Sequence, residues 1–146
     1  MTHETIEILL VEDNAADLEL TLHALRKSNV ANTIHIARDG EEALDYLFCR
    51  GPYSGRDAAL PKVVLLDLKL PKVDGLEVLK AIRGDERTKC IPVVALTSSK
   101  EQQDILSSYK LGVNSYIQKP VDFDQFQQAV QQLGLYWVVV NQVPLT

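Results

Sequence analysis

Four short segments each set a polar, reactive side chain directly behind an apolar run. Glu12 and Asp13 follow Glu7–Val11, Asp67 follows Val63–Leu66, Thr97 and Ser98 follow Val93–Leu96, and Lys119 follows Ser115–Gln118. Gathered in one place, these residues amount to three carboxylates, a hydroxyl pair and an ammonium. Two carboxylates about 5 Å apart repel by about 3 kcal/mol at an effective dielectric of about 20, so three of them need a cation. The donors are all oxygen, with no His or Cys at these positions, which suits Mg²⁺ rather than zinc. A carboxylate beside Mg²⁺, a lysine and a threonine can accept a phosphoryl group. In that chemistry the protein mainly positions groups and stabilises charge on the transferred oxygens. Asp67 is the candidate nucleophile and would become an aspartyl phosphate, with Thr97 and Lys119 stabilising the charge.

The elements that must position these residues can be read from periodicity. Five apolar runs (Glu7–Val11, Thr33–Ala37, Val63–Leu66, Val93–Leu96 and Ser115–Gln118) alternate with five helical patterns. The helical patterns are marked by Leu18, Leu22 and Leu25; by Leu44, Leu47 and Phe48; by Leu76, Leu79 and Ile82; by Ile105 and Tyr109; and by Phe123, Phe126, Val130 and Leu133. Ser99 and Gln102 are spaced as a capping box for the fourth helix, and Asp122 as the cap of the fifth. Alternating strands and helices require crossover connections. They predict an α/β fold, a doubly wound (βα)5 flavodoxin-like arrangement with a parallel five-stranded sheet covered by helices on both faces. In the strand order 2-1-3-4-5, the first and third strands are neighbours at the switch point, and ligands sit beyond the carboxyl ends there. Glu12, Asp13 and Asp67 would then share one crevice. Arg50–Pro61 is a Gly- and Pro-bearing loop longer than most connections of this kind.

Composition limits the alternatives. The 146 residues carry 15 Lys plus Arg against 20 Asp plus Glu, a net charge of −5 with no basic stripe, which argues against nucleic-acid binding. A chain of this size buries roughly 68–70% of its unfolded surface and holds one core without disulfides or a structural metal. No apolar run approaches the roughly 20 residues of a membrane span, and the start, Met1-Thr2-His3-Glu4, lacks the pattern of a secretory signal. Cys49 and Cys90 form neither a CxxC nor a disulfide framework, and are expected to be inert half-buried thiols in a reducing cytoplasm.

Together, Val11-Glu12-Asp13-Asn14, Leu65-Leu66-Asp67-Leu68-Lys69-Leu70-Pro71 with Asp74-Gly75, Leu96-Thr97-Ser98-Ser99, and Lys119-Pro120 resemble the receiver domains of two-component response regulators. Each segment alone is weak; in this order, and across almost the whole chain, they are specific. The resemblance implies that Asp67 accepts phosphate from a histidine kinase, and that Glu12 and Asp13 bind Mg²⁺ together with Asp67 and the backbone carbonyl of Lys69. It implies that Thr97 and Lys119 contact the phosphoryl oxygens, and that Tyr116 is the family's aromatic switch residue. Many receivers have Asp where Glu12 stands; Glu keeps the charge. The Lys119-Pro120 bond is similar to the family's cis peptide. The Val-Glu-Asp-Asn start, the long loop before Leu60-Pro61 and the Leu135-Tyr136-Trp137 tail resemble small stand-alone cyanobacterial regulators partnered with phytochromes, some of them dimeric. The expected partner is therefore a histidine kinase of bacterial-phytochrome type, with no nucleic acid and no membrane, and the expected state is a homodimer.

Each residue also has a plainer reading. Glu12-Asp13 could simply open the first helix, where acids favour the dipole, and Thr97-Ser98-Ser99 is good capping chemistry. Asp67 could be a polar strand end, Lys119 a solvated lysine and Tyr116 a core aromatic. Asp74-Gly75 reads as the turn into the third helix and stays out of the metal set, because it lies seven residues past Asp67. The expected division is a receiver domain over 1–135 and an extension over 136–146, where Tyr136 and Trp137 either fold back or contact a second subunit.

Other functions are separable. A hydrolase of the haloacid-dehalogenase type would need an acid where Lys69 stands and a cap domain. A flavodoxin would need a hydroxyl- and glycine-rich phosphate loop in place of Glu12-Asp13-Asn14. A pseudo-receiver would use the same fold only to bind other proteins. The chain is expected to signal through protein contacts rather than a DNA-binding output, and to act as an enzyme at most in its own phosphorylation and dephosphorylation. Lys69 and Ser99 flank the site and are expected to set the lifetime of the phosphate.

Overall fold

The computed structural model describes residues 7–27, 33–56, 60–98 and 107–132. Five parallel strands, β1 (Glu7–Val11), β2 (Thr33–Ala37), β3 (Val63–Asp67), β4 (Val93–Thr97) and β5 (Ser115–Gln118), form one sheet in the order β2-β1-β3-β4-β5. This is the expected order 2-1-3-4-5, one of the few doubly wound orders that alternating elements allow. β3 and β4 each run one residue further than their apolar runs, so Asp67 and Thr97 belong to the sheet.

Three helices, α1 (Ala15–Lys27), α2 (Gly40–Leu47) and α3 (Gly75–Arg83), follow the first three strands, and Gly51–Tyr53 forms a short 3₁₀ turn within the long loop. The last described helix, α4 (Phe123–Gln132), is the expected fifth; of the expected fourth, the helical segment 107–110 is described. The Ser99 and Gln102 capping box, Ile105, Leu133 and the tail with Leu135, Tyr136 and Trp137 lie outside the described residues.

Strand residues alternate between two cores because side chains along a strand point to opposite faces. Ile8, Leu10, Leu65, Leu96 and Ile117 pack with Leu18 and Leu25 of α1 and Phe126 and Ala129 of α4. Leu9, Val11, Val64, Leu66 and Ala95 pack with Ala43, Tyr46 and Leu47 of α2 and Val78, Leu79 and Ile82 of α3. Both faces are covered, which is why the central strands read as unbroken apolar runs rather than alternating ones.

The helical stripes need correction at their margins. In α2 the buried face is Ala43, Tyr46 and Leu47, while the expected markers Leu44 and Phe48 are half-buried. A Cβ at Gly40 would run into the Val73 carbonyl, so the start of α2 packs closely on its neighbours, and Tyr46 joins Ala43 and Leu47 on the inward face while Leu44 and Phe48 pack half-buried at its margin. Tyr109, expected to mark the fourth helix, is 48% exposed, while Ser108 beside it is fully buried. Cys49 is half-buried as expected, but Cys90 is exposed, and both are free. Among the described residues, no helix is long and apolar enough to cross a membrane.

Candidate functional site

Backbone pairing carries the site residues to one edge. Beyond the strand ladders, Glu12 N–H donates to the Ala37 carbonyl at 2.9 Å, Leu68 N–H to Leu96 at 3.2 Å, and Lys119 N–H to Thr97 at 2.7 Å. These bonds hold the first residues past β1, β3 and β5 in line with the sheet before the chain turns away. Asn14 caps α1: its side-chain oxygen accepts the Asp17 N–H at 2.9 Å, and its own N–H donates to Glu12 Oε2 at 3.2 Å. The turn after Asp67 is equally constrained. A Cβ at Gly75 would run into the Asp67 carbonyl oxygen and lie 2.6 Å from Leu68 Cα, so the start of α3 packs against the strand end only because residue 75 has no side chain. Asp74 takes the expected place before α3, without a side-chain capping bond.

Glu12, Asp13 and Asp67 come together: one carboxylate oxygen from each lies within 4.8 Å of the others. Glu12 and Asp67 are buried and Asp13 is exposed, so the trio opens to solvent on one side. Lys119 reaches into it, with Nζ 2.9 Å from Asp67 Oδ2, 3.2 Å from Glu12 Oε2 and 3.1 Å from Asp17 Oδ2. Asp67 Oδ1 accepts the Lys69 N–H at 3.0 Å. Glu12 Oε1 is 3.0 Å from the ammonium but badly angled for a hydrogen bond, and it is left without one.

The charges are unbalanced. Burial, then the hydrogen bond and negative charge of Asp67, push the Glu12 carboxyl up to about 8, with Lys119 only partly opposing the rise. Burial acts to lower the Lys119 ammonium, yet its bonds to Asp67 and Glu12 and their charges raise it above its ordinary value. Without another cation, the raised Glu12 carboxyl favours its protonated form. A divalent ion could take the place of that proton and satisfy the orphaned Oε1, so three oxygen donors and an unmet buried acceptor fit a hard cation.

A cavity of about 260 Å³ opens above the cluster, lined by Asp13, Asn14, Asp17, Asp67, Lys69, Ser98 and Lys119. Its wall on the β4 side is Ser98. Thr97 is fully buried and its hydroxyl donates to the Ser98 carbonyl at 3.3 Å. Asp67 is paired with Leu96, which places Thr97 on the other side of the pleat. Tyr116 is 42% exposed on β5 and meets Tyr109 edge to face, ring centres 6.1 Å apart. The Lys119–Pro120 peptide is cis.

One site residue has no clear mark in the sequence. Asp17 sits in the first turn of α1 and binds the same ammonium as Asp67. An acid in a first helical turn has a sufficient local explanation, so the sequence offers no signal that Asp17 reaches the site.

Comparison with known proteins agrees with this geometry. Residues 8–131 match the family described as the response regulator receiver domain. The chain is 44% identical over 137 residues, 94% of this chain and 86% of the other, to the probable methanogenesis regulatory protein FilR2 of Methanothrix harundinacea. It is 39% identical over 137 residues, 94% of this chain and 92% of the other, to response regulator Rcp1 of Synechocystis. The Mn²⁺-bound structure of Rcp1 superposes with a TM-score of 0.75, covering 97% of this chain and 99% of that one. The structure of the bacteriophytochrome response regulator AtBRR is 57% identical, with a TM-score of 0.86 over 96% of this chain and all (100%) of that one. A shared fold, a match to the family along nearly the whole chain, and small relatives of the same extent lead to one conclusion: the chain belongs to the response regulator receiver domain family, as a signalling protein related to phytochrome response regulators.

Proposed function

We propose that Asp67 accepts a phosphoryl group from the phosphohistidine of a histidine kinase, in a Mg²⁺-dependent reaction, and that the chain then signals through protein contacts. The observation that carries this is the state of Asp67: a buried carboxylate held by the Lys119 ammonium and the Lys69 N–H, and lining a solvent-open cavity. In the transfer, an Asp67 oxygen attacks phosphorus, the bond from phosphorus to the imidazole nitrogen breaks, and the electron pair leaves with the imidazole. Both Asp67 oxygens are held before the attack, so little reorientation is needed at the moment of reaction. Lys119 stabilises charge on the transferred oxygens as it forms.

Glu12, Asp13 and Asp67, with the Lys69 carbonyl, are the residues that would hold Mg²⁺, whose charge would offset that of the transferred group. The Mn²⁺ in Rcp1 supports a divalent ion here. The likeness to AtBRR, a bacteriophytochrome response regulator, supports a kinase of bacterial-phytochrome type as the donor. To the same reading belong Thr97 and Tyr116 as the switch pair, a cytoplasmic location, a receiver over 1–135 and an extension over 136–146 that joins a homodimer through Tyr136 and Trp137. Size-exclusion chromatography of Trp137→Ala tests that contact: an unchanged dimer removes it.

The decisive experiment is intact-protein mass after incubation with acetyl phosphate, with and without Mg²⁺, beside Asp67→Asn. One added phosphoryl group that requires both Mg²⁺ and Asp67 is expected. Absence of an adduct in folded protein, together with no binding of beryllofluoride, would overturn the proposal in favour of a pseudo-receiver. Phosphotransfer from a purified phytochrome-type kinase then tests the donor.

A further inference from the structure

Lys119 touches three carboxylates, and two of them have other work. Glu12 and Asp67 belong to the trio whose oxygens converge within 4.8 Å; Asp17 does not. An ammonium has three N–H donors. Here they are spread over Glu12, Asp17 and Asp67, at 2.9–3.2 Å. Once Asp67 carries a phosphoryl group its oxygen is bonded to phosphorus and the carboxylate loses its negative charge, while Glu12 would be one of the residues holding the cation. Of the three, only Asp17 then still holds the lysine with an uncommitted carboxylate. We propose that Asp17 is a positioning residue for phosphoryl transfer, holding the Lys119 ammonium over Asp67 from the α1 side while its remaining N–H groups turn to the transferred oxygens. This rests on Asp67 being the acceptor.

The plainer explanation of Asp17 is an acid in the first turn of α1, favoured by the helix dipole. A carboxylate serving only the helix would turn back to the N–H of the capping residue, three positions earlier. That N–H, of Asn14, donates to Glu12 Oε2 instead, and the Asp17 carboxylate crosses to a lysine 102 residues away. Asp17 also lines the cavity beside Asp67, and its side chain is 32% exposed against 14% for Lys119, so it holds the ammonium from the solvent side.

The test uses wild type, Asp17→Ala, Asp17→Glu, Lys119→Ala and the Asp17→Ala/Lys119→Ala double variant, with acetyl phosphate as donor at saturating Mg²⁺. For Asp17→Ala the maximal rate of phosphorylation is expected to fall about tenfold, with half-saturating donor and calorimetric Mg²⁺ affinity within about twofold of wild type. Asp17→Glu should recover most of the rate, and the double variant should be no slower than Lys119→Ala, because Asp17 acts through the lysine. In the metal-free proteins, the Lys119 ammonium protons should exchange with water faster in Asp17→Ala than in wild type, a readout that needs no turnover. Wild-type rates in Asp17→Ala, or an equal further loss when it is added to Lys119→Ala, would overturn this inference and leave the acceptor role of Asp67 standing. A folded wild-type protein that takes up no phosphate and binds no beryllofluoride would overturn the acceptor role itself, and this inference with it.

Discussion

Two partly buried cations stand at opposite ends of the same sheet. At the amino ends of β4 and β5, the Arg83 guanidinium donates to the carbonyls of Gly112, Lys89 and Ile91 and to Asn114 Oδ1, at 2.7–3.1 Å. At the carboxyl ends, Lys119 donates to three carboxylates. Burial lowers the basicity of both. At Arg83 the decrease stands, opposed only by Cys90; at Lys119 the surrounding carboxylates reverse it. Four neutral acceptors around the five N–H groups make a fastening that ties α3 to the loops before two strands. An excess of anions around one cation leaves an unmet charge, and that end of the molecule is where a ligand is needed.

If that contrast is right, the two cations fail differently when removed. Lys119→Met should lower the rate of phosphoryl acceptance by a factor on the order of 10²–10³, the usual cost of losing a donor aimed at developing charge, while the protein stays folded in Mg²⁺. Mass spectrometry over time, with circular dichroism as the control, measures both. Arg83→Ala should do the reverse: about 3 kcal/mol lost in urea unfolding, because the Gly112 and Ile91 carbonyls lose a charged donor in part-buried positions, with the acceptance rate of the folded protein unchanged.

A subtler test uses pH. In EDTA, Glu12 holds its proton up to about 8 in the folded state, against 4.5 ordinarily, with Asp67, Asp13 and Lys119 around it. Between those values the folded state binds the proton that the unfolded chain has released, so this group makes stability fall as pH rises from 4.5 to 8. The raised Lys119 value acts only above its ordinary 10.5, outside that window. Glu12→Gln should flatten the slope and raise metal-free stability at pH 8 by on the order of 2 kcal/mol, and Mg²⁺ should flatten it in wild type. Thermal melts across that range, with and without Mg²⁺, show either result. The smallest expected effect is that of Asn14→Ala, about 1 kcal/mol from the lost cap of α1, read from the same melts.

Strand positions were legible because burial on both faces leaves a local trace. Val63–Leu66 and Val93–Leu96 could not be amphipathic helix or loop, and each ended in the polar residue that the sheet carries to its edge. Helix faces were less legible. Leu44, Leu47 and Phe48 read as the inward stripe; Leu47 is buried and the other two pack half-buried against the same core, but the stripe did not show that Gly40, Ala43 and Tyr46 form the rest of the inward face. Period alone cannot show which side of a helix its neighbours reach.

The sequence by itself determined the order of elements, the sheet they must build and the convergence of Glu12, Asp13, Asp67 and Lys119, since each follows from a local apolar run and one topological rule. The tertiary structure alone decided that Ser98 rather than Thr97 lines the cavity, that Tyr116 pairs with Tyr109 at the surface, and that Asp17 shares the Lys119 ammonium. Those outcomes depend on strand register and on the rotation of α1 about its axis. Both are set by the packing of the whole core, and residues 17 and 119 have no local pattern that relates them.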